Sequence, residues 1–139
     1  MRIGLIAATL GLLAMPAAAQ EVFGLWQSEP SDRGADRGAY VHVRIGPCGS
    51  DASKACGQIT DAFGGTSERR AEVVGRGIID GMAPTAPNVW SGGTIWVPDM
   101  NVTSGRSSSR LTLQGQVLRV EGCVLGGVIC RAQNWTRLE

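Results

Sequence analysis

The sequence has 139 residues with a formal net charge of +1; 18% of the residues are charged and 43% are hydrophobic. This balance excludes a basic nucleic-acid-binding protein, and it excludes a disordered chain because enough apolar residues are present to form a core. The length fits one domain. The 20 glycines, about twice the usual share of roughly 7%, favour tight turns and strands over long helices.

The first 19 residues have the pattern of a secretory signal peptide. Arg2 provides the positive charge, residues 3–15 form an apolar run, and residues 17–19 are the small residues that a signal peptidase recognises. The alternative is a membrane anchor, but the run is shorter than the ~20 residues that span a bilayer. We therefore expect one domain over residues 20–139, exported to the periplasm or secreted, without a membrane span.

The four cysteines predict two disulfide bonds, since export places the chain in an oxidising compartment. Three pairings are possible. Loop entropy does not select the local pairing, because it gives a short loop roughly 2.5 kcal/mol and a bridge from Cys48 to Cys123 about 4.5 kcal/mol. Kinetic ease and hairpin geometry favour Cys48–Cys56 and Cys123–Cys130. Neither pair has the spacing of a zinc site, so no metal is expected.

Short alternating runs, separated by clusters of Gly, Pro, Asn, Asp and Ser, predict an all-β fold. The predicted strands are, in chain order, 22–27, 39–45, 56–63, 76–82, 89–97, 107–113, 116–122 and 129–138. Between them we expect a polar loop over 28–38, one or two helical turns within 67–72, and turns over 83–88 and 98–101.

Two glycines interrupt the predicted strand 89–97. Gly92 and Gly93 predict a bulge or a close approach of backbone. Trp90 and Trp96 are an even number of residues apart, so a regular strand places them on one face and a bulge places them on opposite faces.

Eight short strands with mostly short connections imply antiparallel neighbours. Such a meander either closes as an up-and-down barrel or divides into a sandwich. We favour the barrel, because closure removes exposed strand edges and eight strands leave an interior for about one small ligand.

The first strand carries a motif that resembles the lipocalin signature. This motif is Gly24-x-Trp26, and in lipocalins an arginine of the last strand lies across the tryptophan. The resemblance implies this barrel-closing role for Arg137, through a cation–π contact of about 0.5–2 kcal/mol and hydrogen bonds to strand-end carbonyls.

A longer series of motifs resembles the bacterial exported family known as domain of unknown function 2147. The motifs are Gly24-x-Trp26, Pro47-Cys48-Gly49, Cys56-Gly57, Trp90-x-Gly92-Gly93-x-Ile95, Glu121-Gly122-Cys123-Val124-Leu125-Gly126 and Cys130-Arg131-x-Gln133-x-Trp135-Thr136-Arg137. The resemblance implies a small lipocalin-like barrel and a signal peptide, but no activity. The chain departs from the family in residues 98–107, which lack a tyrosine, and in a short segment between Phe63 and Arg76.

We expect the barrel to bind a small apolar molecule without catalysis and without a cofactor, with segment 69–82 as a lid. The expected wall consists of inward-facing aliphatic residues and two tryptophans: Val41, Val43, Ile45, Trp90, Trp96, Leu111, Leu113, Leu118 and Val120. The alternative is a structural or partner-binding module with a filled barrel, which an interior void below roughly 300 Å³ favours. No protein partner is identified by the sequence.

An enzyme on the same scaffold is a third hypothesis. His42 is the only histidine, it lies in the middle of a predicted strand, and no Gly-x-Ser-x-Gly motif is present. The carboxylates Asp61, Asp80 and Asp99 flank predicted turns, where aspartate is common. The segment 106–110 (Arg-Ser-Ser-Ser-Arg) fits an anion site, although a solvated turn is the simpler interpretation.

Overall fold

The computed structural model describes residue 11 and residues 21–139. The predicted signal peptide falls almost wholly on residues outside this range. Within the described residues, no helix has the length and apolar character needed to cross a membrane.

The described chain is built from strands and one short helix. Their bounds are β1 (Gly24–Gln27), β2 (Tyr40–Pro47), β3 (Ala55–Phe63), α1 (Ser67–Val73), β4 (Gly77–Ala86), β5 (Val89–Ser91), β6 (Thr94–Val97), β7 (Val102–Ser104), β8 (Arg110–Gln114), β9 (Val117–Val124) and β10 (Ile129–Arg137). Three short 3-10 turns lie at Gly34–Asp36, Arg106–Ser108 and Leu125–Gly127.

The strands close into an antiparallel barrel. The sheet order is β3-β2-β1-β10-β9-β8-β5-β4, and pairing of β3 with β4 closes the ring. β6 continues β5 beyond Gly92 and Gly93, and β7 leads into β8 through the 3-10 turn; β6 and β7 pair with each other, and β6 also pairs with β4. Counted this way, the chain forms the eight-stranded up-and-down barrel that the sequence predicts.

Two local predictions are wrong. The segment 83–88 is not a turn throughout, because β4 continues to Ala86 and the turn is limited to Pro87 and Asn88. Pro84 is tolerated in β4 because the register with β5 shifts immediately after it, and proline is accommodated at such irregularities. β7 was not predicted, and β8 begins only at Arg110, because serine-rich residues form a 3-10 turn before it.

Tryptophan side chains fill the middle of the barrel. Trp26, Trp90 and Trp135 are 0%, 1% and 2% exposed, respectively. They pack with aliphatic residues of the opposing strands, including Ile45, Ile59, Ile79, Met82, Leu111 and Leu118. The rings of these three tryptophans occupy the centre of the barrel. In barrels of this size that carry a ligand, smaller side chains leave that space open.

The two ends of the barrel differ. Because consecutive strands are antiparallel, alternate connections lie at the same end. The loops 28–39, 64–76, 98–101 and 125–128 form one end, which we call the mouth end. The loops 48–54, 87–88 and 115–116 lie at the opposite end with the start of β1 and the end of β10, and we call it the closed end.

One disulfide bond lies at each end. Cys48 is bonded to Cys56 at the closed end, and Cys123 is bonded to Cys130 at the mouth end. Cys123 and Cys130 lie directly opposite each other on β9 and β10, with Cα atoms 4.0 Å apart. Two disulfides are typical of an extracellular or periplasmic protein.

Candidate functional site

Arg137 and Trp26 hold the closed end. The guanidinium of Arg137 lies 4.3 Å from the centroid of the Trp26 ring. It donates hydrogen bonds to the carbonyl oxygens of Phe23 (3.0 Å) and Glu21 (2.6 Å). The indole Nε1 of Trp26 donates to the carbonyl of Val22 at 2.9 Å. These contacts fasten the segment before β1 to the last strand, so this end is a structural seal.

The mouth end contains a cavity of about 90 Å³ beneath α1. Its apolar lining consists of side chains from the sheet and from α1: Val41, Ala62, Phe63, Val73, Ile78 and Trp135. Ser28, Asp36 and Arg69 provide a polar rim. We call this space the mouth cavity.

A second cavity of about 70 Å³ adjoins the mouth cavity. The two share Ile78, Pro98, Asp99, Gln133 and Trp135. The second cavity extends towards Ile95, Val120 and Gly122. The two adjoining cavities therefore form one apolar space above the packed core.

The helix α1 is the cover of the mouth cavity. Its N-cap residue Thr66 accepts a hydrogen bond from the backbone N–H of Arg69 at 3.2 Å, the usual arrangement for a threonine cap. Val73 is its buried residue and lines the mouth cavity. The guanidinium of Arg70 donates to the carbonyls of Gly64 (3.0 Å) and Gly65 (2.9 Å), which fixes the entry of the helix.

Arg69 links α1 to two other loops of the mouth end. Its Nε lies 3.4 Å from Oδ2 of Asp36, and its NH1 lies 3.1 Å from Oε2 of Glu72. Its NH2 donates to the carbonyl of Pro98. The Arg69 and Asp36 side chains keep 27% and 22% of their exposure, so these contacts form a partly solvated latch rather than a buried ion pair.

A second polar pair lies in the wall of the smaller cavity. NH1 of Arg131 lies 2.6 Å from Oδ2 of Asp99, and both side chains are largely buried. Nε of Arg131 is buried and has no hydrogen-bond partner among the described residues. Beside it, Gln133 Oε1 accepts from Trp135 Nε1 at 3.0 Å. The guanidinium therefore retains a donor for a further polar group.

Three of the nine expected wall residues line these cavities. Val41 lines the mouth cavity, and Trp96 and Val120 line the second one. The other six belong to the packed core or its edge: Val43, Ile45, Trp90, Leu111, Leu113 and Leu118. The alternation of hydrophobic residues identifies the positions that face inward. It does not show which of these positions pack against tryptophan side chains and which line a cavity.

Trp90 and Trp96 lie on opposite sides of their interrupted strand. Trp90 pairs with the buried Leu111 on the interior side. In β6, Ile95 pairs with the buried Ile79 of β4, so the next residue, Trp96, points to the opposite face of the strand, where the guanidinium of Arg76 lies 3.6 Å from its ring centroid. The change of side occurs at Gly92 and Gly93, between β5 and β6, as a bulge at these two glycines predicts.

The polar residues of the mouth were not predicted. Arg131 and Gln133 precede Trp135 at intervals of two, so strand periodicity alone gives a signal for polar groups on the interior face. Asp36, Arg69 and their contacts depend on loops meeting in space, for which the sequence has no local signal. His42 lies 3.0 Å from Gln27 and packs on Phe63, on strands beside the cavity.

An eight-stranded antiparallel barrel, sealed at one end and covered by one short helix at the other, defines a lipocalin-like protein. The chain belongs to the family described as "Uncharacterized protein conserved in bacteria (DUF2147)", which it matches over residues 24–137.

The fold is also that of a solved structure. Protein HP1028 from the human pathogen Helicobacter pylori, which is described as belonging to the lipocalin family, is similar with a TM-score of 0.62. The similarity covers 86% of this chain and 84% of that chain at 12% sequence identity, so it concerns the fold alone. No curated protein matches the sequence significantly.

Proposed function

We propose that this protein is an exported, non-enzymatic binding protein that holds a small, mostly apolar molecule at the mouth end of its barrel. The observation that carries the proposal is the apolar mouth cavity, which lies between the sheet and α1. The closed end is sealed by Arg137 and the centre is filled by tryptophan. The mouth is therefore the place where a ligand meets apolar wall without displacing core side chains.

The size of the cavities limits what binds while α1 is in place. Volumes of about 90 and 70 Å³ lie below the 150 Å³ or so of an engineered cavity that holds benzene. A short branched or linear aliphatic group is small enough for cavities of this volume. A longer chain needs α1 to move away from the sheet, and the partly solvated Arg69 contacts oppose this movement by no more than about 1 kcal/mol each.

The Arg131 guanidinium gives the site a preference for a ligand with one polar end. Its Nε is buried without a partner, and leaving such a donor unpaired costs about 1–3 kcal/mol or more. A carboxylate, carbonyl or hydroxyl oxygen that reaches Nε removes this penalty. The favoured ligand is thus amphipathic, with its apolar part against Val41, Ala62 and Trp135.

A non-enzymatic role agrees with the position of the only histidine. His42 contacts Gln27 and Phe63, which are neither nucleophiles nor acids. The residue opposite His42 on β3 is Asp61, whose carboxylate side chain is exposed. This arrangement lacks the ordered sequence of nucleophile, base and acid that acyl-transfer catalysis requires.

Native mass spectrometry with a panel of fatty acids, which includes short linear and branched chains, and of sterols tests the proposal. Tryptophan emission is recorded in parallel, because Trp135 lines both cavities. The variant Ala62→Phe fills the mouth cavity and is expected to abolish binding. Thr60→Phe adds the same ring at an exposed position of β3 and serves as the control. Absence of any retained adduct, together with unchanged emission for the whole panel, contradicts the proposal.

The second candidate function is a partner-binding module with a filled barrel. The cavity volumes favour it, because both lie well below the ~300 Å³ at which small-molecule pockets begin. In that case Ala62→Phe leaves function unchanged, and proximity crosslinking in the envelope recovers a specific protein. The two candidates therefore differ in the response to one substitution.

A further inference from the structure

The loop between β9 and β10 presents two apolar side chains to solvent. Leu125 is 69% exposed and Val128 is 82% exposed. Within residues 21–139 these are the most exposed large hydrophobic side chains; Val74 and Leu138 follow at 45% and 43%. We call residues 125–128 the tip loop.

The tip loop is held in a fixed shape. The disulfide between Cys123 and Cys130 joins its two strands at its base. Leu125 has a φ of +53°, in the left-handed region that is unfavourable for a branched residue. Strain of this kind persists only where the surroundings impose it, and it is concentrated at functional positions. The loop thus keeps a leucine exposed in a conformation that a glycine or an asparagine adopts more easily.

The tip loop belongs to the mouth end. The loops 28–39, 64–76 and 98–101 lie at the same end, because the strands alternate in direction. A surface that contacts the tip loop therefore also faces α1 and the mouth cavity.

Unpaired arginines lie beside the base of the tip loop. The side chain of Ser108 donates to the carbonyl of Cys123 at 3.0 Å, which fastens the 3-10 turn containing Arg106 to this base. Arg106 and Arg110 line one open groove on this side and are exposed, and within residues 21–139 neither forms an ion pair, although Glu121, which pairs with Arg119, stands opposite Arg110 in the sheet register. Arg119, in the same groove, pairs with Glu121.

The acidic residues of the mouth end weaken this positive charge only in part. Asp36 and Glu72 pair with Arg69, and Asp99 pairs with Arg131. Of the remaining carboxylates of this end, Asp32 and Glu68 belong to the loop 28–39 and to α1, whereas Glu29 accepts a hydrogen bond from the backbone N–H of Asn134 on β10. The positive charge beside the tip loop therefore comes from Arg106 and Arg110.

We propose that the tip loop docks the protein on a membrane surface that carries anionic headgroups. Leu125 and Val128 enter the interfacial region, and Arg106 and Arg110 contact the phosphates. Exposed apolar residues flanked by cationic residues are the combination that binds such surfaces. Docking does not depend on the mouth cavity holding a ligand, so it goes beyond the proposed function.

Cosedimentation of the disulfide-bonded protein with vesicles tests the docking. Vesicles of phosphatidylglycerol and phosphatidylcholine are expected to sediment the protein at low salt, and vesicles of phosphatidylcholine alone are expected to sediment much less. The double variant Leu125→Asn, Val128→Ser is expected to bind on the order of tenfold more weakly, because two apolar side chains no longer enter the interface. Asparagine tolerates a positive φ, so the loop retains its shape.

Three further variants distinguish insertion of the apolar side chains from electrostatic adsorption. Leu138→Asn removes an exposed leucine from the closed end and is expected to bind as the parent protein does. Val128→Trp is expected to shift its emission to shorter wavelength when anionic vesicles are added. Arg106→Gln with Arg110→Gln is expected to remove the preference for phosphatidylglycerol and the dependence on salt.

Three outcomes overturn the inference: no sedimentation of the parent protein with anionic vesicles, equal binding of the parent and the Leu125→Asn, Val128→Ser variant, or an unchanged emission of Val128→Trp. Ligand binding is measured without vesicles, so failure of docking and failure of the proposed function are distinguished.

Discussion

The Nε atom of Arg69 lies 3.4 Å from Oδ2 of Asp36, and this contact connects α1 to the loop between β1 and β2 across the mouth of the barrel. The same side chain donates to the carbonyl of Pro98, so one residue joins three of the four loops at this end. Each contact is partly solvated and contributes little to the free energy of unfolding. Because all of them depend on Arg69, its loss is expected to affect movement of the cover more than global stability.

Arg69→Gln is expected to increase hydrogen exchange of the α1 amides by about tenfold, since the contacts of its guanidinium with Asp36 and with the carbonyl of Pro98 are lost together. The free energy of unfolding is expected to fall by less than about 1 kcal/mol. Exchange followed by mass spectrometry, with urea unfolding in parallel, measures both quantities. Arg33→Gln, which removes an exposed pair with Asp32, is the matched control. Unchanged exchange of α1 in Arg69→Gln speaks against a latch.

Gly93→Ala is expected to destabilise the barrel by more than about 2 kcal/mol. A Cβ atom added at this position would overlap the backbone carbonyl oxygen of Asp80, so the backbone of β4 has to shift. Overpacking against backbone is more costly than against a flexible side chain. Gly46→Ala is the control, because the space around its Cβ is open. Urea midpoints of the two variants check the difference, and equal midpoints contradict the close approach.

Strand periodicity and glycine spacing were sufficient to predict most of the barrel. The alternation of Val43 and Ile45 with polar residues predicts β2, and Gly92 with Gly93 predicts the interruption of the strand 89–97. The wrong prediction at Pro84 has a physical reason. Proline is normally excluded from strands because it has no N–H to donate, but the register shift beside Pro84 removes the need for that donor. The serine-rich stretch before Arg110 is equally compatible with a strand and with a turn. For this reason the sequence does not predict β7 as a separate strand.

The cavity was harder to predict than the barrel that contains it. Alternation identifies the side of a strand that faces inward, but volume depends on how large rings from distant strands pack together. Trp26, Trp90 and Trp135 come from three separate strands and fill the centre. The position of the cavity under α1, and the latch from Arg69 to Asp36, follow from this packing and from loop contacts that no sequence spacing encodes.

Arg137→Gln is expected to lower the free energy of unfolding by roughly 1–3 kcal/mol. The substitution removes the cation–π contact with Trp26, worth about 0.5–2 kcal/mol, and leaves the carbonyls of Phe23 and Glu21 without their charged donor. Urea unfolding followed by tryptophan emission is the measurement. Arg119→Gln, in an exposed pair with Glu121, is the control and is expected to change stability by less than about 1 kcal/mol. If both variants unfold at the same urea concentration, Arg137 does not seal the barrel.

Replacement of Cys123 and Cys130 by serine is expected to cost roughly 2.5 kcal/mol of stability, because the unfolded chain regains the entropy of a short loop. The Cys48→Ser, Cys56→Ser variant removes a disulfide that closes a loop of almost the same length, and it is expected to cost a similar amount, so it controls for stability. Only the first variant frees the base of the tip loop, and only it is expected to bind anionic vesicles less tightly. Urea unfolding and vesicle cosedimentation of both variants decide the matter. Equal vesicle binding by the two would mean that the fixed shape of the loop around Leu125 is unimportant for docking.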